Sequence, residues 1–162
     1  MDKLEVPDPA KLAFLTQTTL SLYDTQEIVT RLRQRLPAIV GPASDDICYA
    51  TQNRQEAVEH MAREVDLILV VGSANSSNSN RLVEVAERKG VKAHLIEDAN
   101  NIRPEWLKEI SRIGLTAGAS APEILVEQVS ERLASLGFTN QRDFDLIRED
   151  VVFTLPTELV RR

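Results

Sequence analysis

This chain of 162 residues has one cysteine, two histidines and no strongly basic stretch, and its apolar runs are no longer than a strand. A lone thiol, Cys48, excludes an internal disulfide framework and leaves either a buried or a functional cysteine. It has no second cysteine or histidine at metal-ligand spacing. His60 falls in a helical pattern and His94 in a strand pattern, where surface or packed residues are the ordinary reading. The net charge of -6 argues against nucleic acid or an anionic membrane as partner, because such surfaces call for a basic patch. The amino-terminal residues lack the apolar core of a signal peptide, so a cytoplasmic chain without a membrane partner is expected. Single carboxylates such as Asp45, Asp46 and Asp98 form no convincing general-acid pair.

What is present is an ordinary globular composition, 43% hydrophobic and 27% charged, in a length that makes one domain or two small ones. Its centre is the stretch from Gly72 to Arg81, seven of whose residues are small and polar, between an apolar run at Leu67–Val71 and a helical pattern over Leu82–Lys89. A strand end followed by a helix start collects free backbone N–H groups and the positive end of a dipole, which together suit an anion. The stretch contains no lysine and matches neither G-x-x-x-x-G-K-[ST] nor G-x-G-x-x-G, so neither common nucleotide loop applies. A plain polar loop with a helix cap explains the same residues.

Before this stretch, Asp2–Lys11 reads as a connector with Pro7 and Pro9, and Leu12–Leu15 as a short strand ending in Thr16, Gln17, Thr18 and Thr19. A helix follows, capped by Asp24 with Glu27 and presenting Ile28, Val29, Leu32 and Leu36. Pro37 ends it and Ala38–Val40 forms a brief strand. Asp45–Thr51 is a polar loop, and a helix starts near Asn53, capped with Glu56 and presenting Val58, Met61 and Val65.

Beyond the central stretch come a strand at 91–96, a short helix at 104–109, a strand at 111–115 and a helix over Leu125–Leu136 stopped by Gly137. Val151–Leu155 reads as an edge strand. The alternation predicts an α/β fold, a mainly parallel sheet flanked by helices, with one complete domain and part of a second. The ligand crevice of such a sheet lies at the carboxyl ends of the strands, so four polar junctions, 16–19, 45–51, 72–80 and 116–120, are expected to face one pocket.

Two of these junctions carry further chemistry. Gly118 with the small residues around it lets backbone approach a ligand, although Ser120 with Glu123 equally fits a capping box. Cys48 lies just ahead of a helix start, a place that suits a thiolate ligand or nucleophile, although a lone cysteine is more often structural. Thr18 and Thr19 are ordinary strand-end residues.

The segments Thr16-Gln-Thr-Thr-Leu-Ser21, Asp45-Asp-Ile-Cys-Tyr-Ala-Thr-x-Asn-Arg-Gln55, Val71-Gly-Ser-x-Asn-Ser-Ser-Asn-Ser-x-Arg-Leu82 and Thr116-Ala-Gly-Ala-Ser-Ala-Pro122 resemble, in order, the 4-hydroxy-3-methylbut-2-enyl diphosphate reductase family of the methylerythritol phosphate route to isoprenoids. The resemblance implies an oxidoreductase whose [4Fe-4S] cluster binds the substrate hydroxyl at an open coordination site. Two electrons from a donor protein then expel it as water, giving isopentenyl and dimethylallyl diphosphates. By position, Cys48 resembles one of three cysteine ligands of that metal cluster. Ser76, Ser77, Asn78 and Ser120 resemble the groups that hold the allylic diphosphate, and Thr18 the threonine beside the reacting hydroxyl.

The resemblance begins about midway along the family's chain, so the remaining cluster cysteines, the diphosphate-binding histidines and the proton-supplying carboxylate have no counterparts here. It implies that residues 1–43 are the latter part of a middle domain, 44–137 a complete α/β domain with the diphosphate-binding loops, and 138–162 a tail. A fragment of this kind is expected to be inactive alone and to associate with itself or with the missing part. The alternative is a non-catalytic anion-binding or partner-docking α/β module.

Overall fold

The computed structural model describes residues 5–42 and 47–143. A three-stranded parallel sheet organises it, in the order β2, β1, β3, formed by β1 (Leu67–Val71), β2 (Lys92–Ile96) and β3 (Ile113–Ala117). The helices are α1 (Leu22–Arg35), α2 (Tyr49–Met61), α3 (Ser77–Arg88) and α4 (Glu123–Ser135). This is the α/β arrangement expected from the alternating pattern. The strand expected at Val151–Leu155 lies outside the described residues.

β1 is the middle strand and every one of its five residues is buried, as an unbroken apolar run demands when both faces of a parallel sheet are covered. Side chains alternate across a strand, so Ile68 and Val70 face one layer and Leu67, Leu69 and Val71 the other. The first layer is α2 and α3, whose Val58, Leu82, Val85 and Ala86 pack on Ile68 and Val70. The second layer is α4, with Val129 and Leu133, joined by Ile96 and Ile102. Asp66 ties the entry of β1 to that of β3, accepting from the Ser111 and Arg112 amides at 3.0 and 2.9 Å. The Arg112 amide and then the Ser111 amide hold its carboxyl below the usual 3.8.

Several boundaries differ from the sequence expectation, and capping explains two of them, at α1 and α3. α1 is capped by Ser21, whose hydroxyl accepts from the Asp24 amide at 3.2 Å, so Asp24 sits in the first turn and is not the cap. α2 starts four residues before Asn53, with Cys48 at its N-cap position and no side-chain cap. α3 starts at Ser77, capped by Ser76, so half of the supposed loop is helix. Ser77, Asn78, Ser79 and Asn80 carry no apolar periodicity, and the sequence pattern therefore hides that first turn. Strand β3 lies two residues later than expected, and α4 has Pro122, not Ser120, at its N-cap. The expected strands at 12–15 and 38–40 shrink to one parallel bridge, Ala13 with Val40, because no neighbouring strand among the described residues extends the ladder.

α1 buries none of its residues; Ile28 is half exposed and Val29 and Leu32 only partly covered. Polar contacts hold it instead. Asp24 accepts from Arg88 at 2.8 Å and lies 3.5 Å from Arg81, and Arg81 also pairs with Glu84. Desolvation raises the Asp24 pKa, but the hydrogen bonds from Arg88 and Ser21 and the charges of Arg88 and Arg81 together hold it below 3.8.

His94 is packed, as its strand position suggested. Its ring stacks on Trp106 with centroids 3.9 Å apart. Burial pushes its pKa below 6.5; the Glu87 charge opposes this, while Arg103 and Lys92 reinforce it. The native state thus binds the His94 proton less readily than the unfolded chain does, and its contribution is complete above 6.5 and lost as pH falls through the lowered value. Urea titrations at about pH 7 and about pH 5 should show a smaller loss of stability in His94→Phe than in the parent. An equal loss in both would show that His94 has no part in it.

Candidate functional site

The carboxyl ends of the three strands meet the start of α3 in a cleft of about 230 Å³. Gly72 and Ser73 after β1, Glu97 after β2, and Ser120, Ala121 and Pro122 after β3 line it, with Ser76 and Ser79 from the α3 start. The sheet order explains the assembly. Parallel strands deliver all their outgoing loops to one edge, where the unpaired amides of a helix start also point.

Ser79 is the keystone of this corner and was not singled out by the sequence. It is 1% exposed, its amide donates to Ser76 Oγ at 3.3 Å, and its hydroxyl lies 3.1 Å from the same oxygen. A Cβ built on Gly72 or on Gly118 would lie 2.2 Å from Ser79 Oγ. Both glycines are therefore required by close approach. Their spacing around a serine 39 residues before one of them has no signature in the sequence.

Asn78, the residue before it, is 6% exposed, and neither its Oδ1 nor its Nδ2 has a hydrogen-bond partner. A Cβ on Gly118 would lie 3.8 Å from Nδ2, so the amide sits beside the loop that follows β3. Burying both polar atoms of an amide unpaired costs about 1–3 kcal/mol per group, a cost that a ligand supplying the missing partners would remove. Asn78 does not itself line the cleft; its neighbour Ser79 and the capping Ser76 do.

The other expected residues fall in two places. Ser76 and Ser120 enter the cleft, while Ser77 is exposed on the first turn of α3. Thr18 and Cys48 are not among the cleft-lining residues. Both are exposed and adjacent, the Cys48 amide donating to the Thr18 carbonyl at 3.2 Å. Arg54 links this pair to the cleft, since its Nη1 donates to the Ala117 carbonyl at 3.1 Å just before Gly118. The third and fourth junctions thus line one cleft, while the first two meet each other outside it, so the expected single pocket of four junctions does not form among the described residues; residues 45 and 46 of the second lie outside them.

The family model described as LytB protein matches residues 1–134. The chain belongs to the LytB protein family. It is 57% identical over all 162 residues to the 4-hydroxy-3-methylbut-2-enyl diphosphate reductase of Chromohalobacter salexigens, covering 51% of that protein. It is 58% identical over 156 residues to the reductase of the same name from Aromatoleum aromaticum, covering 50% of it. Among solved structures, the E-1-hydroxy-2-methyl-but-2-enyl-4-diphosphate reductase from Plasmodium falciparum superposes with a TM-score of 0.88 at 36% identity, over 98% of this chain and 51% of that one. The chain therefore spans about half the length of the LytB relatives it matches. Among the described residues no helix is long and apolar enough to cross a membrane.

Proposed function

We propose that this chain forms the diphosphate-gripping half of a cytoplasmic 4-hydroxy-3-methylbut-2-enyl diphosphate reductase. The observation that carries the proposal is the buried, unpartnered amide of Asn78, next in sequence to Ser79, which with Ser73, Ser76 and Ser120 lines a cleft at a helix start. Neutral donors converging on one point suit a polyanion, because backbone and hydroxyl dipoles stabilise phosphate oxygens at a helix amino terminus. In this reading Ser76, Ser77, Asn78 and Ser120 hold the diphosphate. Thr18 stands near the reacting hydroxyl, and a donor protein supplies electrons.

The [4Fe-4S] cluster of the complete enzyme does not fit the residues of this chain alone. Cys48 is its single cysteine, and among the described residues no three His, Cys, Asp or Glu side chains gather to hold a metal. Such clusters take three or four protein ligands. Cys48 is accordingly proposed as one ligand of a shared site, and no redox step is assigned to these 162 residues by themselves. That mismatch favours, as a second reading, an anion-binding module without catalysis.

Calorimetric titration with inorganic diphosphate tests the grip. Saturable binding is expected, and a chain that gives no heat while remaining folded overturns the proposal. Glu97 supplies a second check, since it lines the same cleft and its negative charge would oppose a bound diphosphate. A unit charge roughly 8 Å away contributes about 0.5 kcal/mol in water, so Glu97→Gln should tighten binding about twofold. Unchanged or weaker binding in that variant would place the diphosphate elsewhere.

A further inference from the structure

The segment Gln52–Gln55 lies in no proposed contact with substrate, yet Gln52, Arg54 and Gln55 each reach a backbone carbonyl outside the helix. Gln52 Nε2 donates to the Ile47 carbonyl at 3.2 Å and Arg54 Nη1 to the Ala117 carbonyl at 3.1 Å. Gln55 does the most. It is 2% exposed, its Nε2 donates to the Leu20 carbonyl at 2.9 Å, and its Oε1 accepts from the Leu22 amide at 3.1 Å. A buried amide that matches one donor and one acceptor of the same distant strand of backbone fixes that backbone in position and direction, because either bond lost leaves a buried polar group unpaired.

We infer that Gln55 is a positioning residue that seats the Thr18 segment against Cys48. The clamped residues, Leu20 and Leu22, lie two and four positions after Thr18, and the Thr18 carbonyl receives the Cys48 amide at 3.2 Å. Cys48 is the N-cap of the same helix that carries Gln55, so the clamp and the thiol belong to one rigid element. α1 buries no side chain of its own and is tied to α3 through Asp24, so apolar packing of α1 does not do this work. Arg54 extends the same helix to the β3 end, so α2 sets the spacing between the Thr18 and Cys48 pair and the loop that bears Ser120.

The inference rests on reading Thr18 and Cys48 as parts of one site, but its test needs neither diphosphate nor iron, so the two can fail separately. Residue-resolved amide hydrogen exchange is measured on the parent, Gln55→Leu and Gln55→Glu. In Gln55→Leu the Cys48 amide should exchange roughly tenfold faster, the factor that one lost net hydrogen bond implies for local opening, while the amides of Ile68 and Val70 in β1 stay as in the parent. Gln55→Glu keeps the acceptor for Leu22 but loses the donor to Leu20, so it should fall between the two; it also serves if the leucine variant does not fold. Unchanged Cys48 exchange in the variants that fold would overturn the inference. So would equal acceleration at Cys48 and in β1, because Gln55 would then support the fold as a whole without seating Thr18.

Discussion

Asn78→Leu should lose diphosphate binding by roughly 10- to 100-fold while the folded chain becomes no less stable, and that divergence is the sharpest expected result for this protein. The side chain is 94% shielded, being 6% exposed, and both amide atoms lack partners. An apolar side chain of similar size removes a desolvation penalty of about 1 kcal/mol or more, which in a domain of this length raises Tm by a few degrees. Functional sites characteristically carry such penalties, because the ligand supplies the missing partners. Thermal unfolding and diphosphate titration on the same sample check both halves. A variant that loses several degrees of Tm would show that the amide is satisfied in the folded chain, and one that binds as well as the parent would remove Asn78 from the site.

The second large effect concerns the corner around Ser79. Gly118→Ala and Gly72→Ala should each cost about 1–3 kcal/mol, because the added methyl meets a buried hydroxyl at 2.2 Å in either case. The two differ in how they are relieved. From Gly118 the Ser79 Cβ is 3.5 Å away, ordinary contact, but from Gly72 it is 2.8 Å. Ser79→Ala should therefore rescue Gly118→Ala and fail to rescue Gly72→Ala, with a coupling energy of roughly 1 kcal/mol or more only in the first pair. Urea unfolding of the four corners of each cycle gives the answer. Equal rescue of both glycines, or of neither, would mean that Ser79 does not fill the space between the two loops.

Both expectations depend on contacts that the linear sequence does not display. Asn78 is legible in its motif as a residue resembling a diphosphate holder, but not as a buried, unpartnered amide, and Ser79 only as a polar residue near a helix start. The serine reads as turn material until the sheet places Gly72 and Gly118 on either side of it, since those glycines are 46 residues apart. Gln55 was visible as part of a family-like motif, but its partners, Leu20 and Leu22, lie 35 and 33 residues away, and no periodicity marks a clamp of that kind. Capping was misjudged at Asp24, Asn53 and Ser120 for a related reason. At α1 a neighbouring serine, Ser21, takes the cap, and α2 and α4 have Cys48 and Pro122 at the N-cap position with no side-chain cap, so a capping residue nearby does not by itself fix a helix start.

The sequence by itself determined the alternating strand and helix order, the fully buried β1, the polar strand ends and the family, because apolar periodicity and local motif spacing are properties of the chain read in one dimension. Tertiary structure alone decided that Ser79 fills the gap between two glycine loops, that Asn78 is buried without partners, and that α2 holds Thr18 beside Cys48. Those facts depend on three parallel strands delivering distant loops to one edge, and on close packing there, which no local pattern encodes.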